Sequence, residues 1–143
     1  MTLTKSGLRS FIHRHGVGVI STVAPDGAPE AALVEIAATA ELEIIFHAVE
    51  TTRKCANLRD NPRIALVVGG WDGSETLQYE GAADEPEEPE RESLKRTYFE
   101  CCPRASGRAG WPGLTYFRIR PKWLRFSTYA MPWSVEEMTF PFP

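Results

Sequence analysis

The stretch Leu42–Val68, LEIIFHAVETTRKCANLRDNPRIALVV, decides the reading of this chain. It opens on an apolar run of strand length, Leu42–Ala48. It breaks at Glu50-Thr51-Thr52 and continues from Arg53 to Asp60 as about two helical turns. Asn61-Pro62 closes the helix, because proline pushes the residue before it out of the helical region, and Arg63–Val68 returns as a strand. The junction of strand and helix carries Thr51, Thr52, Arg53 and Lys54. A helix start leaves backbone N–H groups unpaired and presents the positive end of the helix dipole, so two cations and two hydroxyls there form a candidate phosphate anchor. The same residues also suit a surface helix with a hydroxyl N-cap and solvated charges. The flanking elements bear on that choice.

Upstream, Leu3–His15 has Leu8, Phe11 and Ile12 at helical spacing and Gly16 as a stop. Val17–Val23 is a strand, Pro25-Asp26-Gly27 a tight turn, and Ala28–Ala38 a second extended run. Ala40-Glu41 turns into Leu42–Ala48, which predicts an antiparallel meander for the first three strands. Downstream, Gly69–Gly73 turns into Glu75–Ala83, where Thr76, Gln78 and Glu80 alternate with Leu77 and Tyr79. One face of that strand is therefore wet or lines a site. DEPEEPERESLKRTYFECC starts on a solvated acidic turn and runs as a helix through Leu94, Tyr98 and Phe99. Pro103–Gly113 is a Gly/Pro-rich loop carrying Trp111. Leu114–Arg120 and Trp123–Tyr129 are two strands separated at Pro121, and the ending MPWSVEEMTFPFP suits a strap over a neighbouring surface. Six to seven short strands with two or three helices and no βαβ alternation predict a mainly β (α+β) antiparallel barrel with helices at its margins, one domain over 1–143.

Composition narrows the function. The chain has 143 residues, 43% hydrophobic and 24% charged, with a net charge of −3 and 16 basic residues spread along it. No electrostatic footprint for nucleic acid or an anionic membrane follows from that balance, so any anion site is local. No apolar run reaches bilayer length, and MTLTKSGLRSFIHRHG lacks the apolar core of a secretory signal, so a cytoplasmic protein is expected. The three cysteines show no CxxC spacing and are expected to be reduced and structural. GxSxG, GxGxxG and GxxxxGK[ST] do not occur. His13 and His15 lie two apart on a helix and do not face one another, so no metal site is expected. His47 ends a strand just before the basic turn, where a ligand contact and a structural hydrogen bond are both open. Trp71, Trp111, Tyr116, Phe117 and Trp123 suit either a planar ligand or a core and interface.

The order of these parts, with TVAPDGAP, FHAVETTRK, NPRIALVV and QYEGAADEP, resembles the pyridoxamine 5′-phosphate oxidase-like FMN-binding split β-barrels over roughly Leu8 to Tyr129. The resemblance implies that Thr52, Arg53 and Lys54, beside Thr51, hold an FMN phosphate. It implies that Ala32, Leu33, Val34, Glu35 and Ile36 run along the isoalloxazine and ribityl chain, that His47 and Ala48 end the next strand beside it, and that Thr76 or Gln78 adds a polar contact. It further implies a homodimer with FMN sites at the interface, which would also cover Trp111, Trp123 and the FPFP ending. Two departures stand out. The oxidase pattern carries basic residues where this chain has Ala32 and Ala37, and its C-terminal arginine and histidine signature has no match in FRIRPKWLRFSTY, so vitamin B6 oxidation is not expected. The expectation is a flavin-dependent oxidoreductase acting on a small molecule of unknown identity. The alternatives are a non-enzymatic flavin-binding or sensing protein, and a split barrel using deazaflavin or haem. The Pro103–Gly113 loop is expected either to border the pocket, with Trp111 as a flat face and Arg104 and Arg108 meeting an anionic substrate, or to lie in solvent with Trp111 in its own barrel.

Overall fold

A computed structural model describes residues 3–70 and 72–141 of the chain. Trp71 and the last two residues of the FPFP ending lie outside the described residues. Helix α1 (Lys5–His15) starts where the Thr4 hydroxyl accepts from the Gly7 N–H at 3.0 Å, and stops at Gly16 with φ 72°. Leu8, Phe11 and Ile12 are buried against the barrel. Strands β1 (Val17–Val23) and β2 (Pro29–Glu35) form the expected hairpin, with Asp26 Oδ1 accepting from the Ala28 N–H. The second extended run is not one strand. It breaks at Ile36, whose N–H bonds the Gly16 carbonyl at 3.0 Å, and resumes as β3 (Ala37–Ala38), paired with β4 (Ile44–Val49).

Helix α2 (Arg53–Asp60), β5 (Arg63–Gly69) and β6 (Glu75–Asp84) follow the expected bounds within a residue. Helices α3 (Glu90–Cys101) and α4 (Pro103–Gly107) come next, then β7 (Leu114–Thr128) and β8 (Ser134–Thr139). The sheet has eight strands in the order β2-β1-β5-β6-β7-β4-β3, with β8 paired to β7. The predicted meander is therefore corrected: β4 pairs with β7, and β2 and β3, consecutive in sequence, stand at opposite ends of that order. The chain passes from one edge strand, β2, directly to the other, β3, through Ile36, and the sheet curls into a split barrel.

Leu114–Thr128 is one strand rather than two. Pro121 sits where β7 changes neighbours, from β4 up to Ile119 to β8 from Trp123, and where the β6 register slips between Glu80 and Gly81. A proline is tolerated at such an irregularity. Gly81 is required there, since a Cβ would run into the Arg120 carbonyl oxygen. Part of the C-terminal ending is not a loose strap but strand β8. The short helix α4 occupies what reads in sequence as loop.

The barrel interior holds Ile20, Ile36, Ile44, Phe46, Leu66, Leu77, Tyr79, Phe117 and Leu124. The Tyr79 hydroxyl reaches two backbone carbonyls, Leu42 at 2.8 Å and Ile119 at 3.0 Å, tying the β3–β4 turn to β7. Tyr79→Phe should cost about 1–2 kcal/mol in a urea unfolding curve, because the one buried donor that the two carbonyls share is lost. An unchanged midpoint would show that water replaces the hydroxyl. A second cluster, with Ile45, Leu94, Tyr98, Cys102 and Tyr116, seats α3 and α4 on the outside of the barrel. The acidic start of α3 is not simply solvated, because Glu90 and Asp84 both bind the buried Arg118 guanidinium, Asp84 through two bonds of 3.0 and 2.7 Å. No helix among the described residues is long and apolar enough to cross a membrane.

Candidate functional site

Thr52 is the N-cap of α2 by position, yet its hydroxyl does not cap the helix. It donates to the Val49 carbonyl at 2.8 Å and lies 3.3 Å from the Cys55 sulfur. The first-turn N–H groups of Arg53, Lys54 and Cys55 therefore have no acceptor among the described residues, which is the condition for binding an anion there. Lys54 is half-buried and has no ion-pair partner among the described residues. Arg53 is more exposed and pairs with Glu30 at 3.2 Å. Glu30 also accepts from the Asn57 amide at 2.7 Å, and Asn57 in turn donates to Thr22 at 3.0 Å.

Two clefts meet at Thr52 and Lys54. The smaller, of about 340 Å³, is lined by Glu30, Ala31 and Ala32 of β2 and by Thr51 through Lys54. The larger, of about 390 Å³, takes in Leu33, Val34 and Glu35 of β2 and His47 and Ala48 of β4. Tyr98 lines it from α3, and Arg104, Arg108 and Trp111 from α4 and the loop after it. The floor common to both is the free edge of β2. Ile36 bonds back to Gly16, so alternation gives the inward-bonding positions to Val34, Ala32 and Glu30. The N–H and C=O groups of Ala31, Leu33 and Glu35 then point off the edge. The Glu35 carbonyl takes a hydrogen bond from the Tyr98 hydroxyl at 3.1 Å. Those of Ala31 and Leu33 have no partner among the described residues.

The wall of the larger cleft is charged. The Glu35 carboxylate lies 3.0 Å from the Arg108 guanidinium, aligned as an ion pair rather than a hydrogen bond, and Arg108 stands 5.9 Å over the Trp111 ring. Arg104 has no partner among the described residues. His47 is only 8% exposed and is wedged against the rings of Tyr98 and Tyr116, at 5.0 and 5.5 Å. Its Nδ1 is sealed without a partner. Burial, and then the nearby Arg108, hold its pKa below the ordinary histidine value, with Glu35 opposing. The ring is therefore neutral near pH 7. Burial pushes the Cys102 thiol up to about 12, and it donates to the Ile36 carbonyl at 3.1 Å, which makes it a structural group.

His13 is also held low, by burial and Arg9 against an opposing bond to Ala38, and its Nε2 accepts from the Ala38 N–H at 2.9 Å. A histidine with a depressed native pKa stabilises the fold above its unfolded value of about 6.5, and that contribution is lost as pH falls through the lower native value. The urea midpoint should accordingly drop between pH 7.5 and pH 5, and the drop should shrink in His47→Gln. An identical pH profile in the variant would mean that His47 titrates normally.

Of the residues singled out from sequence, the structure brings Ala32, Leu33, Val34, Glu35, His47, Ala48, Thr51, Thr52, Arg53, Lys54 and Trp111 to the walls of these joined clefts. Ile36 is not among them, being fully buried in the core. Thr76 and Gln78 line neither cleft. Both are on β6, beyond β1 and β5, and Gln78 projects from the face opposite the core. Tyr98 and Glu30 were not anticipated as lining residues. The available signal for Glu30 was its spacing from Ala32 and Val34, which puts a carboxylate on the inward face of β2.

Fold and site together define a small split-barrel protein with an open, locally cationic cleft. The family model described as pyridoxamine 5′-phosphate oxidase matches residues 5–128, and the chain belongs to that family. A curated pyridoxine/pyridoxamine 5′-phosphate oxidase of Rubrobacter xylanophilus is 28% identical over 107 residues, 75% of this chain and 48% of the relative, so the chain spans about half that protein's length. Among solved structures, a heme binding protein from Mycobacterium smegmatis superposes with a TM-score of 0.80 at 16% identity, covering 97% of this chain and 59% of the other. General Stress Protein 26 from Bacillus anthracis gives 0.72 at 17% identity, covering 94% and 98%. At these identities the structural likeness carries the fold alone.

Proposed function

We propose that the protein binds FMN across the two joined clefts as a homodimer and acts as a flavin-dependent oxidoreductase on a small substrate. The observation that carries this reading is the meeting of α2 N–H groups and Lys54, none of them partnered among the described residues, with the backbone edge of β2. That arrangement suits a ligand with a phosphate at one end and a planar ring bearing donors and acceptors along its rim. Lys54, Arg53 and the helix start would hold the phosphate. Ala31 and Leu33 would offer backbone groups to the ring, and Trp111 and Leu33 would cover it. Bound FMN supplies hydride chemistry, while the protein binds and orients. The neutral His47 would add a polar contact without a charge.

The dimer is supported by the outer face of the sheet. Leu33, Val19 and Val67 stand side by side across β2, β1 and β5, and all three are exposed. Gln78 continues the same row on β6. A second copy packed on this row would cover it, and would carry Gln78 and Thr76 toward the partner's cleft. A cytoplasmic location fits the three unpaired cysteines.

The absorption spectrum of freshly purified protein, followed by FMN titration, tests the cofactor. Flavin bands and saturable binding are expected. A Soret band on adding hemin, with no flavin uptake, would favour haem, a second reading that rests on the neutral imidazole of His47 in the cleft and on the heme binding neighbour. Steady-state oxidation of a nicotinamide donor separates an enzyme from a flavin-binding or sensing protein.

A further inference from the structure

Glu30 projects from the inward face of β2 into the smaller cleft, with its side chain 20% exposed. Both of its oxygens are engaged, one by the Asn57 amide at 2.7 Å and the other by Arg53 at 3.2 Å. It thus occupies one of the two cations that the FMN reading assigns to the phosphate. Two positions further on, at Ala32, the strand presents a methyl group to the same cleft.

Resting on the FMN reading, we infer that Glu30 competes with the bound phosphate for Arg53 and so sets the affinity of the site, making the flavin an exchangeable ligand rather than a permanently held group. A phosphate monoester near pH 7 carries close to two negative charges. To engage both cations it must share Arg53 with Glu30 or draw it away, since Arg53 meets Glu30 through a single ion-pair contact of 3.2 Å. Where Arg53 is drawn away, the carboxylate is left largely buried beside the anion, with Asn57 as its remaining partner. Like charges at a partly buried site repel more strongly than in water, so the carboxylate opposes binding twice, by holding Arg53 and by facing the phosphate. The charges lining the smaller cleft are Arg53 and Lys54 against Glu30, a net of one positive charge against the two of the ligand.

The other reading of Glu30 is a structural peg that ties β2 to α2 through Asn57, and the two readings predict opposite signs. Glu30→Gln keeps an oxygen for Asn57 and removes the charge. Titration of FMN, riboflavin and inorganic phosphate into wild type and Glu30→Gln decides between them, with Glu30→Ala as the second variant should the glutamine form not fold. The expected result is that the variant binds FMN at least about tenfold tighter, the size of one relieved like-charge contact. Riboflavin binding is unchanged, phosphate binding rises, and wild type loses its FMN on dialysis while the variant keeps it. FMN affinity that is unchanged or weaker in both variants overturns the inference. Should no form bind FMN, the cofactor reading fails, and the phosphate titration still decides the role of Glu30. Tighter phosphate binding in the variant supports competition at this anion seat, and equal or weaker binding overturns it.

Discussion

Replacing Arg53 and Lys54 together by alanine should weaken FMN binding by about two orders of magnitude. Each charge-assisted contact to phosphate contributes on the order of 1.5–3 kcal/mol, and each factor of ten corresponds to about 1.4 kcal/mol. The two single variants should not be equal. Lys54 borders both clefts and has no competing partner among the described residues, so its amine is available at no cost in broken contacts. Arg53 is shared with Glu30, 3.2 Å away, which offsets part of what its phosphate contact supplies. Lys54→Ala should therefore weaken binding by about tenfold or more, and Arg53→Ala by less. Both side chains sit at a solvent-accessible helix start, so the fold should survive, and an unchanged thermal midpoint would confirm that affinity alone has moved. Fluorescence titration of the apo-protein measures all three. Equal affinity in the double variant and the wild type would remove the phosphate from this turn.

Val19→Asp should convert a dimer into a monomer at micromolar concentration. Val19 is 44% exposed and sits between Leu33 at 69% and Val67 at 48%, in one row across three strands. Contiguous apolar surface of this kind on a sheet face is costly in water, and a two-fold axis through it lets one patch cover itself. A carboxylate in the middle of the row would be desolvated without a partner, or held close to its symmetry mate. Either costs several kcal/mol, enough to shift a nanomolar dimer beyond the micromolar range. Because Val19 points away from the core, where Gly18 and Ile20 face inward, the substitution should leave the unfolding midpoint of the monomer nearly unchanged. FMN affinity should fall with dissociation if the partner contributes Thr76 or Gln78. Sedimentation equilibrium on both proteins is the measurement. A monomeric wild type, or a variant that stays dimeric, would place the interface elsewhere or abolish it.

The sequence was most legible where the physics is local. The bounds of β1 and α2 follow from runs of a few residues, from Gly16 as a helix stop and from Asn61-Pro62 as another. The basic turn was legible for the same reason, since helix polarity and residue type meet within four positions. The strand pairing was not. Nothing between Ala28 and Ala38 announces that Ile36 carries the chain from one sheet edge to the other, because that break is made by a bond to Gly16 and by closure of the barrel rather than by a turn residue. Pro121 reads as a terminator and is instead accommodated within one long strand, because β6 slips its register beside it.

The candidate site divides along the same line. Residue types and their order determined, without any coordinates, that Thr51–Lys54 form a cationic helix start and that an extended run precedes them from Ala28, while the place of Ala32–Ile36 beside a ligand came only from the resemblance. Only the tertiary structure decided which charges are available. Glu30 occupies Arg53, Glu35 occupies Arg108, and Lys54 and Arg104 have no partner among the described residues, because those pairings join β2 to α2 and to the residue after α4, positions far apart in the chain. It likewise took the folded sheet to show that the valines of β1 and β5 line up with Leu33 on one outward face. Strand alternation says that successive side chains part ways, but only the register between strands says which of them meet.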